Sequence, residues 1–254
     1  AALSALERRT PGERFGLSKE AHDTSWNLVS TTHASERGTY RLLGTSMEHG
    51  GDFNRVVSLS GNPRWGGVQW SLQAARSFSR LGTERVSEGD AWVLGGLARP
   101  SREWTLSGEW RVLSPTFLPL AGFIPDVGVR KGYANAEWER LAQGEKDFFR
   151  RITLDVQAYL VREWQGETRN RGYASQVRFE FPHRIDAVVA GGEGSECFMG
   201  QRFRTDNGEV GLGWSERSTL QLGGNWSWGK TVVYDPSHPR QGRFRQGRFS
   251  IEQV

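Results

Sequence analysis

Apolar and polar residues alternate one by one along four long segments of the chain: 66–79, 102–113, 148–164 and 219–229. In the third of these, the even positions hold apolar side chains, namely Ile152, Leu154, Val156, Ala158 and Leu160. A period of two is typical of a β-strand whose two faces meet different surroundings. These segments therefore predict four long strands.

Weaker alternation predicts further strands around Trp26, Tyr40, Val57, Val93, Tyr133, Val177, Val188 and Leu212. Turn-forming residues separate these runs at 82–84, 87–90, 165–167 and 206–208. The short connections favour antiparallel pairing of neighbours, because a parallel crossover needs a dozen or more residues. No segment has helical periodicity, so the fold class is all-β, an antiparallel up-and-down meander of roughly a dozen or more strands.

Strand length separates two architectures. Strands of soluble sheets average about 5–6 residues, whereas a tilted membrane-spanning strand needs about 9–11. The clearest segments reach the longer figure, which favours an outer-membrane-type β-barrel, complete or incomplete. Its apolar face meets lipid and its polar face lines a wet lumen. The alternative is a soluble β-sandwich or barrel that buries the apolar face.

The amino-acid composition limits the partners and cofactors that the chain is expected to bind. The chain has 32 Gly, 13 Phe, 11 Trp and 5 Tyr, an inventory that suits a β-protein. The net charge is 33 − 29 = +4, which gives no strong reason to expect a nucleic-acid partner. Cys197 has no second cysteine to pair with, and the five histidines show no metal-ligand spacing. We predict no metal and no cofactor.

Two sets of side chains are candidates for function. The first set consists of aromatic residues that either stack sugars or anchor the chain at a membrane interface: Trp104, Trp110, Trp226 and Trp228. The second set consists of polar residues expected to line the lumen: Glu103, Glu109, Arg111, Arg151, Asp155 and Gln157. Interface anchoring or packing in a core is favoured over sugar stacking for the tryptophans, because they belong to otherwise apolar rows.

Enzymatic motifs are weak. Glu103 and Glu109 share a strand face but lie about 20 Å apart, too far for glycoside hydrolysis by that pair. Ser195 and the glycine-rich run 191–194 are interpreted as loop and turn, and Cys197 as a small buried residue. The arginine-rich segment 240–249 is interpreted as a loop that leads into a strand. No catalytic residue is predicted.

From Phe53 onward the chain resembles a family of uncharacterised bacterial proteins. The likeness is carried by Asp52–Val56, by Ser114–Phe117, and by Gly122-Phe123 followed by Val127–Arg130. In that family a module similar to a family-nine carbohydrate-binding domain precedes a C-terminal outer-membrane-type β-barrel. Leu120-Ala121 departs from the family pattern, and the carbohydrate-binding module has no counterpart here. The resemblance implies that this chain is part of the barrel.

We therefore predict one β-barrel domain over 1–254, a fragment of a longer protein, with an irregular segment at 1–22. The expected location is the outer membrane of a Gram-negative bacterium, although no signal peptide is present. The expected role is non-enzymatic and linked to glycan binding or uptake, with membrane lipid and polysaccharide or oligosaccharide as partners. The alternatives are a soluble carbohydrate binder that uses exposed tryptophans, and a hydrolase with a lumenal acidic site.

Overall fold

The computed structural model describes residues 2–7, 24–119, 126–144, 147–216 and 220–253. These residues form strands joined by short connections, with one 3-10 turn at Pro182–Arg184. The strands are β1 (Ala2–Glu7), β2 (Thr24–Ser35), β3 (Gly38–His49), β4 (Asp52–Gly61), β5 (Arg64–Trp65), β6 (Val68–Arg80), β7 (Ser87–Ala98), β8 (Trp104–Leu113), β9 (Val129–Leu141), β10 (Arg151–Glu163), β11 (Thr168–Glu180), β12 (Ile185–Phe198), β13 (Gln201–Glu216), β14 (Leu220–Val233) and β15 (Arg240–Gln253).

Each strand lies beside its neighbours in sequence, in one order from β1 to β15, and the two-residue β5 pairs with β6. The resolved pairings are antiparallel throughout, for example Leu154 opposite Val177 and Val189 opposite Val210. The predicted antiparallel meander is confirmed. Within the described residues, no helix has the length and apolar character needed to cross a membrane.

All four strongly alternating segments are strands, as β6, β8, β10 and β14, and each weaker alternation also falls inside a strand. Four other predictions were wrong. The turns predicted at 87–90 and 206–208 lie within β7 and β13, the run 191–194 with Ser195 lies within β12, and 240–249 belongs to β15. In each case turn-forming residues sit inside a paired ladder, and the register continues through them in β12, β13 and β15.

A close packing contact explains why β12 carries glycine in mid-strand. The ring of Tyr159 on β10 lies across β11 and reaches β12. A Cβ would come within 2.7 Å of the Tyr159 hydroxyl at Gly172 and within 2.9 Å at Gly194. Side chains at these positions would displace the ring, so the glycines serve packing and not chain reversal.

The segment 1–22, which the sequence predicts to be irregular, contains a strand. Ala2–Glu7 forms β1 and pairs with Thr24–Val29 of β2. The remainder of that segment, residues 8–22, lies outside the described residues. The chain divides into two compact units, and β8 and β9 contribute residues to both. The prediction of one domain over 1–254 stays a prediction.

The first unit comprises residues 1–97, 109–131 and 163–166. Its core is small and lies on one face of the sheet, where Ala91, Leu113, Phe117 and Val129 form a buried cluster. The loop that follows β8 supplies Phe117, so a connection, and not a second layer of strands, covers this face.

The second unit comprises residues 98–108, 132–162 and 167–254. Strands β11 to β15 pair without interruption over 11 to 14 residues per ladder. The tight hairpin between β12 and β13 turns at Met199 and Gly200, both with positive φ (51° and 74°). That backbone geometry matches the twist of the flanking strands, which fixes the register of the hairpin.

Candidate functional site

One face of the second unit carries an almost continuous apolar surface, which we call the apolar belt. A central row crosses five strands through the paired residues Leu154, Val177, Val189, Val210 and Trp226. Directly opposed residues of antiparallel strands project from the same face. The remaining members of the belt, placed by the same registers, are Ile152, Val156, Phe179, Ala187, Leu212, Leu222, Trp228, Phe249 and Ile251.

The belt is open to its surroundings. Phe249 is 71% exposed, Leu212 67% and Val189 54%, and Val210 and Trp226 are exposed as well. Among the described side chains, nothing packs over this face to shield these groups. A soluble domain rarely exposes a contiguous apolar surface of this extent, because burying it is the main driving force of folding.

The opposite face of the same strands is polar and internally hydrogen-bonded. Arg151 forms ion pairs with Glu139 (3.0 Å) and Glu180 (3.6 Å). Gln157 donates a hydrogen bond to Asp155 at 2.9 Å. Charged and amide groups that satisfy one another suit a surface in contact with water.

In the first unit, β4 also exposes an apolar face, and there the polar face is the sheltered one. Val57 and Leu59 on one face are exposed, whereas Asp52 and Asn54 on the other face are only 3% and 2% exposed. In a soluble sheet with one buried face, the apolar residues take the sheltered side. Here the polar residues take it.

The loop after β8 covers the polar face of the first unit. The Asn54 side-chain amide donates to the carbonyl of Leu118 at 2.5 Å, and the Leu118 N–H donates to the Ser77 hydroxyl at 3.1 Å. Beside these bonds, Phe117 is 4% exposed and lies against β7. A Cβ at Gly89 would come within 2.3 Å of the Phe117 backbone, so only glycine admits the loop there.

A rim of arginine and phenylalanine follows the exposed face of the first unit near one end of β4 and β6. The guanidinium groups of Arg55 and Arg80 lie 4.7 and 5.2 Å from the ring centroid of Phe53, and that of Arg76 lies 5.4 Å from Phe78. Cations over aromatic rings combine an apolar body with a charged tip. Such groups suit a boundary between hydrocarbon and water.

Acidic partners complete this rim. Glu48 accepts a hydrogen bond from Arg55 Nε at 2.8 Å, and Arg76 pairs with Glu88 and, at 3.8 Å, with Asp90. The pairs are exposed, so each contributes little to stability in water.

All four tryptophans singled out from the sequence are exposed: Trp104, Trp110, Trp226 and Trp228. The rings of the last two lie next to glycines of neighbouring strands. A Cβ at Gly208 would come within 2.5 Å of the Trp228 ring, and one at Gly247 within 3.0 Å of the Trp226 ring. Trp226 and Trp228 therefore contact the backbone of a neighbouring strand and remain partly exposed, which is compatible with contact to lipid or sugar.

The six predicted polar residues form separate local pairs. Arg111 bonds Glu109 at 2.8 Å, and Asp155 and Arg151 make the contacts described above. Glu103, one residue before β8, accepts a hydrogen bond from the Trp138 indole N–H at 3.2 Å. The assignment of these residues to a lumen stays a prediction.

Little in the described residues suggests catalysis. No group of three or more metal-ligating side chains occurs among them. Outside the strands, two side chains in the loop between β14 and β15 have shifted pKa values. A hydrogen bond to Glu196 (2.7 Å), with burial in support, raises the pKa of Tyr234. Hydrogen bonds from the Ser237 hydroxyl and N–H lower the pKa of Asp235. Hydrogen bonds within the protein are the main cause of both pKa shifts.

Sequence reasoning missed the network of Asn54, Ser77 and Leu118. It also missed a band of basic residues beside the belt, the basic band, which consists of Arg171, Arg202, Arg204, Lys230, Arg243 and Arg245. In the sequence, the loop after β8 could have been noticed from the Ser114–Phe117 motif. The basic band is harder to recognise in the sequence, because its arginines are distributed over β11, β13 and β15 and become neighbours only through the strand register.

These features define the chain as an all-β antiparallel meander with an exposed apolar face and a polar face. No family model matches the chain, and no curated protein matches it. Among solved structures, the chain is similar to a bacterial polysaccharide outer membrane secretin, with a TM-score of 0.36 and 11% sequence identity. That alignment covers 100% of this chain and 97% of the other.

Proposed function

We propose that this chain forms membrane-spanning strands of an outer-membrane-type β-barrel protein with a non-enzymatic role in the cell envelope. The observation that carries the proposal is the inversion of the two faces on β4, where Val57 and Leu59 are exposed, whereas Asp52 and Asn54 on the other face are buried. The apolar belt of the second unit is exposed as well. Membrane barrels place apolar side chains outward in lipid and polar side chains inward.

Strand length supports the same proposal. Strands β9 to β15 contain 13 to 16 residues each. A strand of 13 residues is about 43 Å long, and at a tilt of about 45° it spans about 30 Å. This exceeds the height of the apolar band of outer-membrane barrels, about 25 Å. The ends of the strands then reach the polar interfaces.

The inward loop and the glycan-related role extend the proposal. Residues 114–119 cover part of the polar face of the first unit, which fits a connection folded into a lumen. The resemblance of Ser114–Phe117 to the bacterial barrel family, and with it a link to glycan binding or uptake, remains a prediction. Exposed rings such as Trp65, which is 80% exposed, supply surfaces on which a sugar could stack.

Refolding separates this proposal from the soluble alternative. The whole chain is diluted from urea into plain buffer, or into vesicles of dilauroyl phosphatidylcholine, and its migration on an unheated gel is compared with that of a boiled sample. We expect strand formation and altered migration only with vesicles. A monomer that unfolds cooperatively in plain buffer, without detergent or lipid, would overturn the proposal and favour the soluble carbohydrate binder.

A further inference from the structure

Basic residues are concentrated on the face of the apolar belt, near one end of the strands. The registers place Arg171 opposite Ser195, Ser195 opposite Arg204, and Cys197 opposite Arg202. Across the next two strands, Lys230 lies opposite both Asp206 and Arg243, and Arg245 lies opposite Trp228. We call this set the basic band: Arg171, Arg202, Arg204, Lys230, Arg243 and Arg245.

Two acids, Glu193 and Asp206, share the rows of the basic band. Six cations against two acids leave 6 − 2 = +4 on this small area, which equals the net charge of the whole chain. Arg204 is paired with Glu193 and Lys230 with Asp206, each at 2.8 Å. The excess positive charge therefore lies with Arg171, Arg202, Arg243 and Arg245.

The basic band borders the belt directly. Lys230 is two residues from Trp228 on β14, a rise of about 7 Å. On β11, Arg171 is followed on the same face by Tyr173, Ser175 and then Val177 of the central row. A molecule with an anionic head and apolar tails would therefore find matching surfaces along a single strand face.

An open groove of about 710 Å³ lies within the basic band, and its lining includes Arg171, Tyr173, Ser195, Arg202 and Arg204. Arg202 is already oriented, because it donates to the Ser195 hydroxyl at 3.3 Å and to the carbonyl of Thr168 at 2.6 Å. Guanidinium groups are well suited to phosphate because their donors match its oxygens in pairs.

We propose that the basic band binds the phosphate-bearing headgroup of an anionic lipid in the adjoining membrane leaflet, while the lipid tails lie on the belt. This inference rests on the proposed membrane function and adds a lipid class to it. A free anion would satisfy only the arginines, whereas a lipid also covers the exposed apolar residues beside them.

The test compares two variants with the same change in charge. R171Q/R243Q removes two cations of the excess positive charge from the basic band, and R178Q/R248Q removes two exposed arginines from the opposite face. Each protein is refolded into dilauroyl phosphatidylcholine, extracted in a neutral detergent, and titrated with phosphatidylglycerol or phosphatidylcholine under native mass spectrometry. Inorganic phosphate and heparin are titrated in parallel.

We expect tighter binding of phosphatidylglycerol than of phosphatidylcholine. Each arginine near a membrane surface strengthens attraction to anionic lipid enough that losing two weakens binding about 30-fold. R171Q/R243Q should show that loss, and R178Q/R248Q should retain the affinity of the unchanged protein. Equal binding of the two lipids, or equal losses in the two variants, would overturn the inference and leave the membrane proposal standing.

Two further outcomes would also reject the lipid site, each for a different reason. If inorganic phosphate or heparin competes fully with phosphatidylglycerol at matched phosphate or sulfate concentration, the basic band is a site for soluble anions, and the lipid assignment is wrong. If the unchanged chain fails to fold in phosphatidylcholine and folds in plain buffer, the proposed function falls, and the lipid site falls with it.

Discussion

Val189 is the position at which the exposed apolar face can be tested most sharply. It lies in the central row of the belt, between Val177 on β11 and Val210 on β13. We predict that Val189→Arg strongly destabilises the chain folded in a bilayer. The neighbouring change Ala190→Arg puts the same side chain on the polar face, opposite Gln176 and Glu209, and serves as the control.

The expected loss of unfolding free energy in Val189→Arg can be worked out from the exposed fraction of Val189. Complete burial of a valine contributes about 1.5–3 kcal/mol. Val189 is 54% exposed, so contact of that fraction with lipid contributes about 0.8–1.6 kcal/mol. An arginine at the bilayer midplane costs about 2–4 kcal/mol more. The expected loss in unfolding free energy is about 3–6 kcal/mol. In water, the same exposed substitution would change it by only about 0.5 kcal/mol.

The assay is reversible urea unfolding of the chain in neutral vesicles, followed by tryptophan fluorescence, with both variants measured beside the unchanged protein. Ala190→Arg should remain within about 1 kcal/mol of it, because the new cation faces Glu209 on a wet surface. The reasoning fails if Val189→Arg loses less than about 1 kcal/mol, or if both variants lose the same amount.

Three further predictions concern packing and pH. Phe117→Ala should remove about 3–5 kcal/mol of stabilisation from the inward loop, seen as faster amide exchange in residues 114–119. Gly194→Val should cost about 1–3 kcal/mol in urea unfolding, because its side chain displaces the Tyr159 ring. The lowered pKa of Asp235 means that its hydrogen bonds stabilise the loop above the pKa of an unfolded aspartate and are lost as pH falls through the folded pKa. The protection factor of the Ser237 amide, which is the intrinsic exchange rate at each pH divided by the observed rate, should therefore fall on acidification.

Each of these predictions has its own control. Phe148→Ala, at a ring that is 79% exposed, should cost less than about 1 kcal/mol, and a larger loss there than at Phe117 would contradict the buried loop. Tyr159→Phe removes the hydroxyl nearest Gly194, so it should partly rescue Gly194→Val, and strict additivity would argue against that contact. In Asp235→Ala the acid-dependent change at Ser237 should disappear, and its persistence would point to another group.

Local patterning predicts most of the strands and only some of the connections. The alternation at 148–164 identifies β10 to within a few residues because each side chain there matches the face it occupies. The errors at 87–90, 191–194 and 206–208 have one cause. Glycine and acidic residues mark turns when nothing else constrains them. In β12, however, Gly194 makes room for Tyr159, which lies 35 residues earlier in the sequence on β10. No local window contains that partner.

The candidate residues divide in the same way. The exposed tryptophans could be selected from the sequence because they interrupt aliphatic rows with large rings. The network of Asn54, Ser77 and Leu118 could not, because its two hydrogen-bonded pairs are 41 and 64 residues apart and none of the three residues has an unusual neighbourhood in the sequence. The basic band likewise exists only once the register aligns β11, β13 and β15.

By itself, the sequence determined that the chain is a meander of long two-faced strands, because a period of two and short connections are properties of neighbouring residues. It left open which face is sheltered, since alternation is identical whether the apolar row is buried in a protein core or surrounded by lipid. Only the tertiary structure decided this. Long-range contacts bury Asn54 beneath the loop after β8 and leave Val189 and Leu212 uncovered. The physical reason is that exposure depends on what lies across the sheet, which is set by residues distant in the chain.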